Sequence, residues 1–183
     1  MREMRIAFTG AHGTGKSTIV EPLARELDLV ELPTPGRWLK QHGIGVNTEA
    51  SVSSQAIGWF LQYGYEHSSG DWISSRCMLD VLAYAAVPAE RQELSLVDRH
   101  LLNQMTSATR SHLLSGTYDA LFYLPPRIPL VADDVRIADR AFQSDTDRFI
   151  HDKLLEWNVP FEEIDVTDAS AGTHIQEIVR RLR

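Results

Sequence analysis

The sequence predicts an α/β protein of three layers, with five parallel strands between two sheets of helices. Two observations predict it. First, Phe8-Thr9-Gly10-Ala11-His12-Gly13-Thr14-Gly15-Lys16-Ser17-Thr18 satisfies the phosphate-loop pattern G-x-x-x-x-G-K-[ST] at every fixed position. The apolar run Met4 to Phe8 before it reads as a buried strand, and Ser17 to Leu27 after it carries apolar residues at helical spacing. Second, four further strand-like runs alternate with helical stretches, the pattern of a parallel sheet covered on both faces. At 183 residues the chain reads as one domain, residues 1–183, large enough for such a core.

Taken in order, Asp28 to Leu32 is predicted as the second strand, stopped by Pro33 and Pro35. Arg37 to Gln41 starts a short helix that ends at the Gly43-Ile44-Gly45 turn. Thr48 is predicted to cap a helix reaching His67, with Val52, Ala56, Trp59, Phe60 and Tyr63 on its apolar face and Gly58 and Gly64 weakening it. Trp72 to Ser75 is the third strand and Met78 to Ala85 the next helix, broken by Pro88. From Ala89 to Ser115, Leu94, Val97, Leu101, Met105, Ala108 and Leu113 recur at helical spacing. Ala120 to Leu124 is a strongly apolar strand closed by Pro125-Pro126, and a charged stretch follows from Arg127 to Asp145. Phe149 to Trp157 is a helix, Phe161 to Val166 the last strand and Thr173 to Leu182 the last helix.

The loop states its own chemistry. Gly10 and Gly15 allow backbone angles that a β-carbon resists, and Gly13 eases close approach. Amides along Gly10, Ala11, His12, Gly13, Thr14, Gly15 and Lys16 then form an anion nest, reinforced by the positive end of the helix that follows. Lys16 supplies a point charge for the outer phosphates, and the Ser17 hydroxyl, beside Thr18, supplies a ligand for Mg²⁺. A nucleoside triphosphate, ATP, with Mg²⁺ is the expected cofactor pair.

Composition narrows the rest. A net charge of −7 disfavours tight non-specific nucleic-acid binding. The single cysteine, Cys77, excludes an internal disulfide and suits a reducing cytoplasm. The chain enters its first strand almost at once, so no signal peptide is expected, and no apolar run approaches the ~20 residues of a membrane helix. The seven histidines show no paired spacing, so no structural zinc is expected.

Beyond the loop, the chain resembles the small P-loop nucleotide-kinase-like ATPases that include the ribosylnicotinamide-kinase domain and its bacterial and phage relatives. The residues that carry the likeness are Ile6 to Thr18, Leu79-Asp80-Val81-Leu82-Ala83-Tyr84, Tyr118-Asp119 through Leu124-Pro125-Pro126, and Asp134-Val135-Arg136 with Asp139 and Phe142. The resemblance implies a P-loop kinase-like fold with a lid over about residues 127–145. It places Arg127, Arg136 and Arg140 in that lid, where arginines neutralise a transferring phosphoryl group; Arg136 is the first choice. It also puts the helix bearing Gln55 beside the acceptor pocket, with the amide offering two hydrogen bonds and Trp59 offering core packing or, second, a stacking surface.

Two departures stand out. The family carries a carboxylate after the second strand, where Thr34 stands here in Pro33-Thr34-Pro35-Gly36-Arg37, and Asp-Arg after the third, where this chain has Ser75-Arg76. Asp98-Arg99-His100 resembles the Asp-Arg-His step of thymidylate kinases and makes Asp98 a replacement acid, although the helical period running past it favours an exposed helix face. Arg76, just past the third strand, is a candidate clamp for a phosphate or an acceptor; Arg37, after the second strand's loop, is placed to face the acceptor; and Asp80 is a helix residue tied to substrate-side packing.

Three functions are compatible with this reading. The leading one is an ATP- and Mg²⁺-dependent kinase moving the γ-phosphate to a nucleoside- or nucleotide-like acceptor. The second keeps the chemistry but takes DNA as the acceptor, through a hydroxylated modified base. The third is a non-catalytic nucleotide-binding regulatory module, which the missing carboxylates favour. No membrane is expected as partner, and a homodimer is left open.

Overall fold

A computed structural model of the chain describes residues 3–46, 50–129, 139–166 and 171–182. Five strands, β1 (Arg5–Thr9), β2 (Val30–Glu31), β3 (Trp72–Ser74), β4 (Ala120–Tyr123) and β5 (Glu162–Glu163), form one sheet in the order β2-β3-β1-β4-β5. Every pairing is parallel. The connecting helices are α1 (Lys16–Leu27), α2 (Pro35–Gln41), α3 (Val52–Glu66), α4 (Met78–Ala89), α5 (Leu96–Leu114), α6 (Arg140–Glu156) and α7 (Ala171–Leu182).

The two-residue alternation of a strand divides the core in two. Ile6 and Phe8 of β1, with Phe122 of β4, face α1 and α7 through Ile19, Leu23 and Ile178. Ala7, Leu121 and Tyr123 face the other way, onto a larger cluster with Trp59, Met78, Leu82, Met105, Ile150 and Leu154 from α3 to α6. The strands that are buried on both sides are the apolar ones, which is why they were legible. The edge strands β2 and β5 are short and exposed. The ladder runs a little beyond each, with Leu32 N donating to Ile73 O at 2.9 Å and Ile164 N to Tyr123 O at 2.9 Å.

Four helix boundaries differ from the sequence expectation by more than two residues. α3 begins at Val52: Ser51 Oγ accepts from Ser54 N at 3.0 Å while Ser51 N donates to Ser54 Oγ at 2.9 Å, a reciprocal cap; Thr48 lies outside the described residues. Pro88 does not break α4 midway but sits in its last turn: its nitrogen forgoes one bond to the preceding turn, and the helix ends one residue later at Ala89. α5 starts only at Leu96, because Ser95 Oγ accepts from Asp98 N at 3.0 Å and caps it; Leu96 and Val97 are exposed. α6 starts nine residues before the predicted Phe149, as Asp139 Oδ1 accepts from Phe142 N at 3.0 Å. The polar character of 140–148 hid that helix, whose buried face includes Gln143 and Thr146.

Gly58, expected to weaken α3, lies where the helix packs tightly between α2 and α4. A β-carbon there would stand 3.0 Å from Leu39 Cδ1 of α2 and 3.6 Å from Val81 Cγ1 of α4. Phe60 and Tyr63 of the predicted apolar face are exposed, and the buried face instead carries Gln55, Gln62 and Glu66.

Candidate functional site

The turn from β1 into α1 lies at the carboxyl end of the central strand, where open parallel sheets bind ligands. Gly10 has φ 135°, and a β-carbon on it would meet the Leu124 carbonyl oxygen at 2.4 Å. The loop therefore rests directly on the chain leaving β4. Gly15, with φ 84°, is the left-handed residue from which α1 springs, leaving Ser17 and Thr18 exposed in its first turn. Lys16 is nearly buried; its Nζ donates to Gly10 O at 2.7 Å, Ala11 O at 2.5 Å and Thr14 Oγ1 at 2.9 Å. The ammonium is thus held inside the ring of loop atoms.

A second set of residues holds the loop from the α4 side. Asp80 has no solvent exposure; its Oδ1 accepts from Gly10 N at 3.2 Å and from Arg76 Nη1 at 3.1 Å, and its Oδ2 from Cys77 N at 2.9 Å. The last of these closes the first turn of α4. Arg76 Nη1 also donates to Gly10 O at 3.1 Å. Its guanidinium carbon lies 5.4 Å from the centre of the Tyr84 ring, one turn beyond Asp80 on the same face of α4. Burial works against the Arg76 charge, but Tyr84 and Asp80 outweigh it and raise its pKa. Burial likewise raises the Tyr84 phenol, which lies 3.3 Å from His12 Nδ1.

Two deeper contacts complete the frame. Gln143 Nε2 of α6 donates to His12 O at 2.7 Å. Gln62 Nε2 of α3 donates to Arg76 O at 3.2 Å and to Glu66 Oε1 at 2.7 Å, and Glu66 Oε2 takes His112 Nε2 at 2.6 Å and Tyr118 OH at 2.5 Å. The turn carrying Arg76 is thereby tied to α3, α5 and the approach to β4.

A single cavity joins the phosphate loop to the residues expected on the acceptor side. Its wall includes His12 to Ser17 from the loop, Thr34 and Arg37 at the start of α2, Gln55 from α3, and Ser75, Arg76, Asp80 and Tyr84 around α4. Several sequence candidates are not brought there. Trp59 is buried in the core, with its indole Nε1 donating to Thr109 Oγ1 at 2.8 Å, so its large apolar ring packs rather than faces the cavity. Asp98 stands in the first turn of α5, accepting from Ser95 Oγ at 2.7 Å, and is not part of the cavity wall. Arg127 is exposed and pairs with Glu163 at 3.8 Å and Asp165 at 3.6 Å. Arg140 is exposed in the first turn of α6, so the segment from 140 to 145 is helical. Arg136 lies outside the described residues.

Sequence reasoning missed Gln143, Tyr84 as a contact of Arg76, and Asp147. The i, i+4 spacing of Arg76, Asp80 and Tyr84 was the available signal for the second; a glutamine in a polar helix gives none. Asp147 of α6 accepts from Tyr123 OH at 3.0 Å and feels the Lys16 charge. Burial raises its pKa, partly countered by the Tyr123 hydrogen bond, Lys16 and His151.

This arrangement defines the class: a P-loop protein with a kinase-like fold, its glycine loop packed against an arginine and a carboxylate at one end of a parallel sheet. The chain belongs to the AAA domain family, whose model matches residues 5–171. No curated protein sequence matches it. Among solved structures it is similar to NadR protein in complex with NAD and AMP-PNP, with a TM-score of 0.71 and 16% identity over 97% of this chain. The chain spans about half of that protein, 49% of its length. It is also similar to deoxyadenosine kinase from M. mycoides with bound dATP, with a TM-score of 0.65, 17% identity, and 98% and 99% of the two chains covered. Thymidylate kinase from Ehrlichia chaffeensis gives a TM-score of 0.65 at 16% identity, with 100% and 99% covered. At such identities these likenesses establish the fold. Among the described residues no helix is long and apolar enough to cross a membrane.

Proposed function

We propose that the protein is an ATP- and Mg²⁺-dependent phosphotransferase whose acceptor is nucleoside- or nucleotide-like. The observation that carries this reading is the shared cavity: the phosphate loop forms one wall, and Arg37, Gln55, Arg76 and Asp80 stand on the same surface. A nucleotide switch needs the loop but not a contiguous polar chamber beside it. The deoxyadenosine kinase and thymidylate kinase among the structural neighbours support the reading at the level of fold.

The residues fit the cofactor pair. Gly10 leaves no room for a side chain between the loop and Leu124, so the loop packs down on the chain leaving β4, and His12 to Ser17 line the cavity as the candidate anion nest. Ser17, exposed in the first turn of α1 and on the cavity wall, would offer its hydroxyl to Mg²⁺, with phosphate and water oxygens completing the shell. Bound ATP with Mg²⁺ would supply the phosphoryl group and neutralise its charge. Lys16 then exchanges loop carbonyls for phosphate oxygens, Arg76 orients the chamber beside the loop, and Gln55 offers an amide to the acceptor.

The test is transfer of label from γ-³²P-ATP to a panel of nucleosides and mononucleotides, with Lys16→Ala as control. Transfer to at least one member, lost in the variant, is expected. ATP turned over only to ADP and free phosphate, with no labelled acceptor, would overturn the proposal.

A further inference from the structure

We infer that the nucleophile this site accepts is a phosphate oxygen: the acceptor is a phosphomonoester such as a nucleoside monophosphate, not a neutral nucleoside. The inference rests on the phosphotransferase reading above and specifies its substrate.

The charge of the cavity wall points to it. Lys16, Arg37 and Arg76 stand against one carboxylate, Asp80, among the described residues of the wall. This occurs in a chain whose net charge is −7, so the cationic character is local to the cavity. Lys16 belongs to the triphosphate. Arg37 comes from the first turn of α2, after β2, and Arg76 from the turn after β3, both lining the cavity from outside the phosphate loop.

The chemistry of the wall agrees. A hydroxyl acceptor must lose its proton during transfer, which calls for a base within hydrogen-bond reach. Asp80 is already committed: one oxygen serves Gly10 N and Arg76, and the other serves Cys77 N. The wall positions that follow β2 and β3 are Thr34 and Ser75, neither of which can take a proton near neutral pH. The His12 ring is 2% exposed, stacked on Phe142 at 5.7 Å and in contact with the Tyr84 hydroxyl. Asp147 is held by Tyr123 and lies outside the wall.

A phosphomonoester needs no such base. Its second ionisation lies near pH ~6, so at neutral pH it presents an unprotonated oxygen. That oxygen forms a bond to the γ-phosphorus, and the bond from the γ-phosphorus to the bridging oxygen of ATP breaks. The electron pair leaves with ADP, the acceptor phosphate becomes a phosphoanhydride, and no proton has to move. The guanidinium groups of Arg76 and Arg37 match the dianion. The Arg76 side chain, 21% exposed, keeps part of its surface open after its contacts with Asp80 and Gly10.

The experiment compares matched pairs, each nucleoside against its 5′-monophosphate, using the full chain, ATP and Mg²⁺. At least one monophosphate is expected to be converted to the diphosphate with kcat/KM about 100-fold or more above its nucleoside. Its kcat/KM should rise through an apparent pKa near ~6 and then level, following the acceptor's own ionisation. Arg37→Ala, a change at an exposed position, should raise KM for the monophosphate about tenfold and leave KM for ATP within twofold. Phosphorylation of nucleosides with monophosphates rejected would overturn this inference and leave the phosphotransferase reading intact. ATP turnover with neither class accepted would overturn both. An unchanged monophosphate KM in Arg37→Ala would remove Arg37 from the site and, with it, the argument from charge.

Discussion

Asp80 and Arg76 grip Gly10 from two directions: the carboxylate accepts from its amide at 3.2 Å, the guanidinium donates to its carbonyl at 3.1 Å, and the two side chains lie 3.1 Å from each other. The first glycine of the phosphate loop is therefore fixed by a buried ion pair one helix away. Asp80→Ala would leave Gly10 N, Cys77 N and the guanidinium without their acceptor. A loss of about 3 kcal/mol or more is expected in denaturant unfolding. Asp80→Asn keeps the shape and one acceptor oxygen, so its loss should be smaller. Both variants should bind ATP more weakly than wild type in calorimetry, since the loop amides lose their alignment. Unaltered affinity in a folded Asp80→Asn protein would show that the pair does not set the loop.

Gly10 itself admits no side chain. The β-carbon of Gly10→Ala would lie 2.4 Å from the Leu124 carbonyl, a backbone atom that cannot swing aside, at a φ of 135° that alanine resists. A destabilisation of about 3 kcal/mol and loss of ATP binding are expected. A melting temperature equal to wild type would mean that the loop lifts off β4 at little cost.

What the sequence disclosed follows from which signals are local. The loop, β1 and β4 were legible because a fixed glycine-lysine pattern and continuous apolar runs are properties of neighbouring residues. The site around α4 was half legible: Arg76, Asp80, Arg37 and Gln55 all line the cavity, but the grip on Gly10 joins residues 66 and 70 positions apart. Gln143 reaches His12 across 131 positions, and nothing near it in the chain announces that. Helical periodicity erred where polar residues are buried, as at Gln62 and Glu66, or apolar ones exposed, as at Phe60, Tyr63 and Val97. In each case a long-range partner or solvent decided the face, not composition.

Trp59 and Asp98 can be tested as structural residues. Trp59→Phe removes the indole donor to Thr109, which is fully buried, and should cost about 1–2 kcal/mol of stability while KM for the acceptor stays within twofold. Asp98→Ala removes a carboxylate from the first turn of α5 and should cost about 0.3–1 kcal/mol with kcat unchanged. A fall in kcat of a hundredfold in Asp98→Ala would restore it as an acid-base group, and a rise in acceptor KM in Trp59→Phe would restore the stacking role.

Asp147 should leave a signature in the pH dependence of stability. Its folded-state pKa is raised from the ordinary value of 3.8, burial being the larger cause. Between 3.8 and that raised value the folded protein holds more proton at this site than the unfolded chain does. Stability from this group therefore falls as pH rises through that window, and at neutral pH the ionised carboxylate is a burden the fold carries. The Tyr123 hydrogen bond and the Lys16 charge reduce the burden without cancelling it. Asp147→Asn keeps an oxygen for the Tyr123 hydroxyl and removes the titration. The variant should thus be at least as stable as wild type at pH ~7, and the gap should close as pH falls towards ~4. Melting temperatures across that range check the sign: a variant less stable at neutral pH, with the deficit shrinking in acid, would mean that attraction to Lys16 outweighs desolvation and that Asp147 is held ionised for the loop.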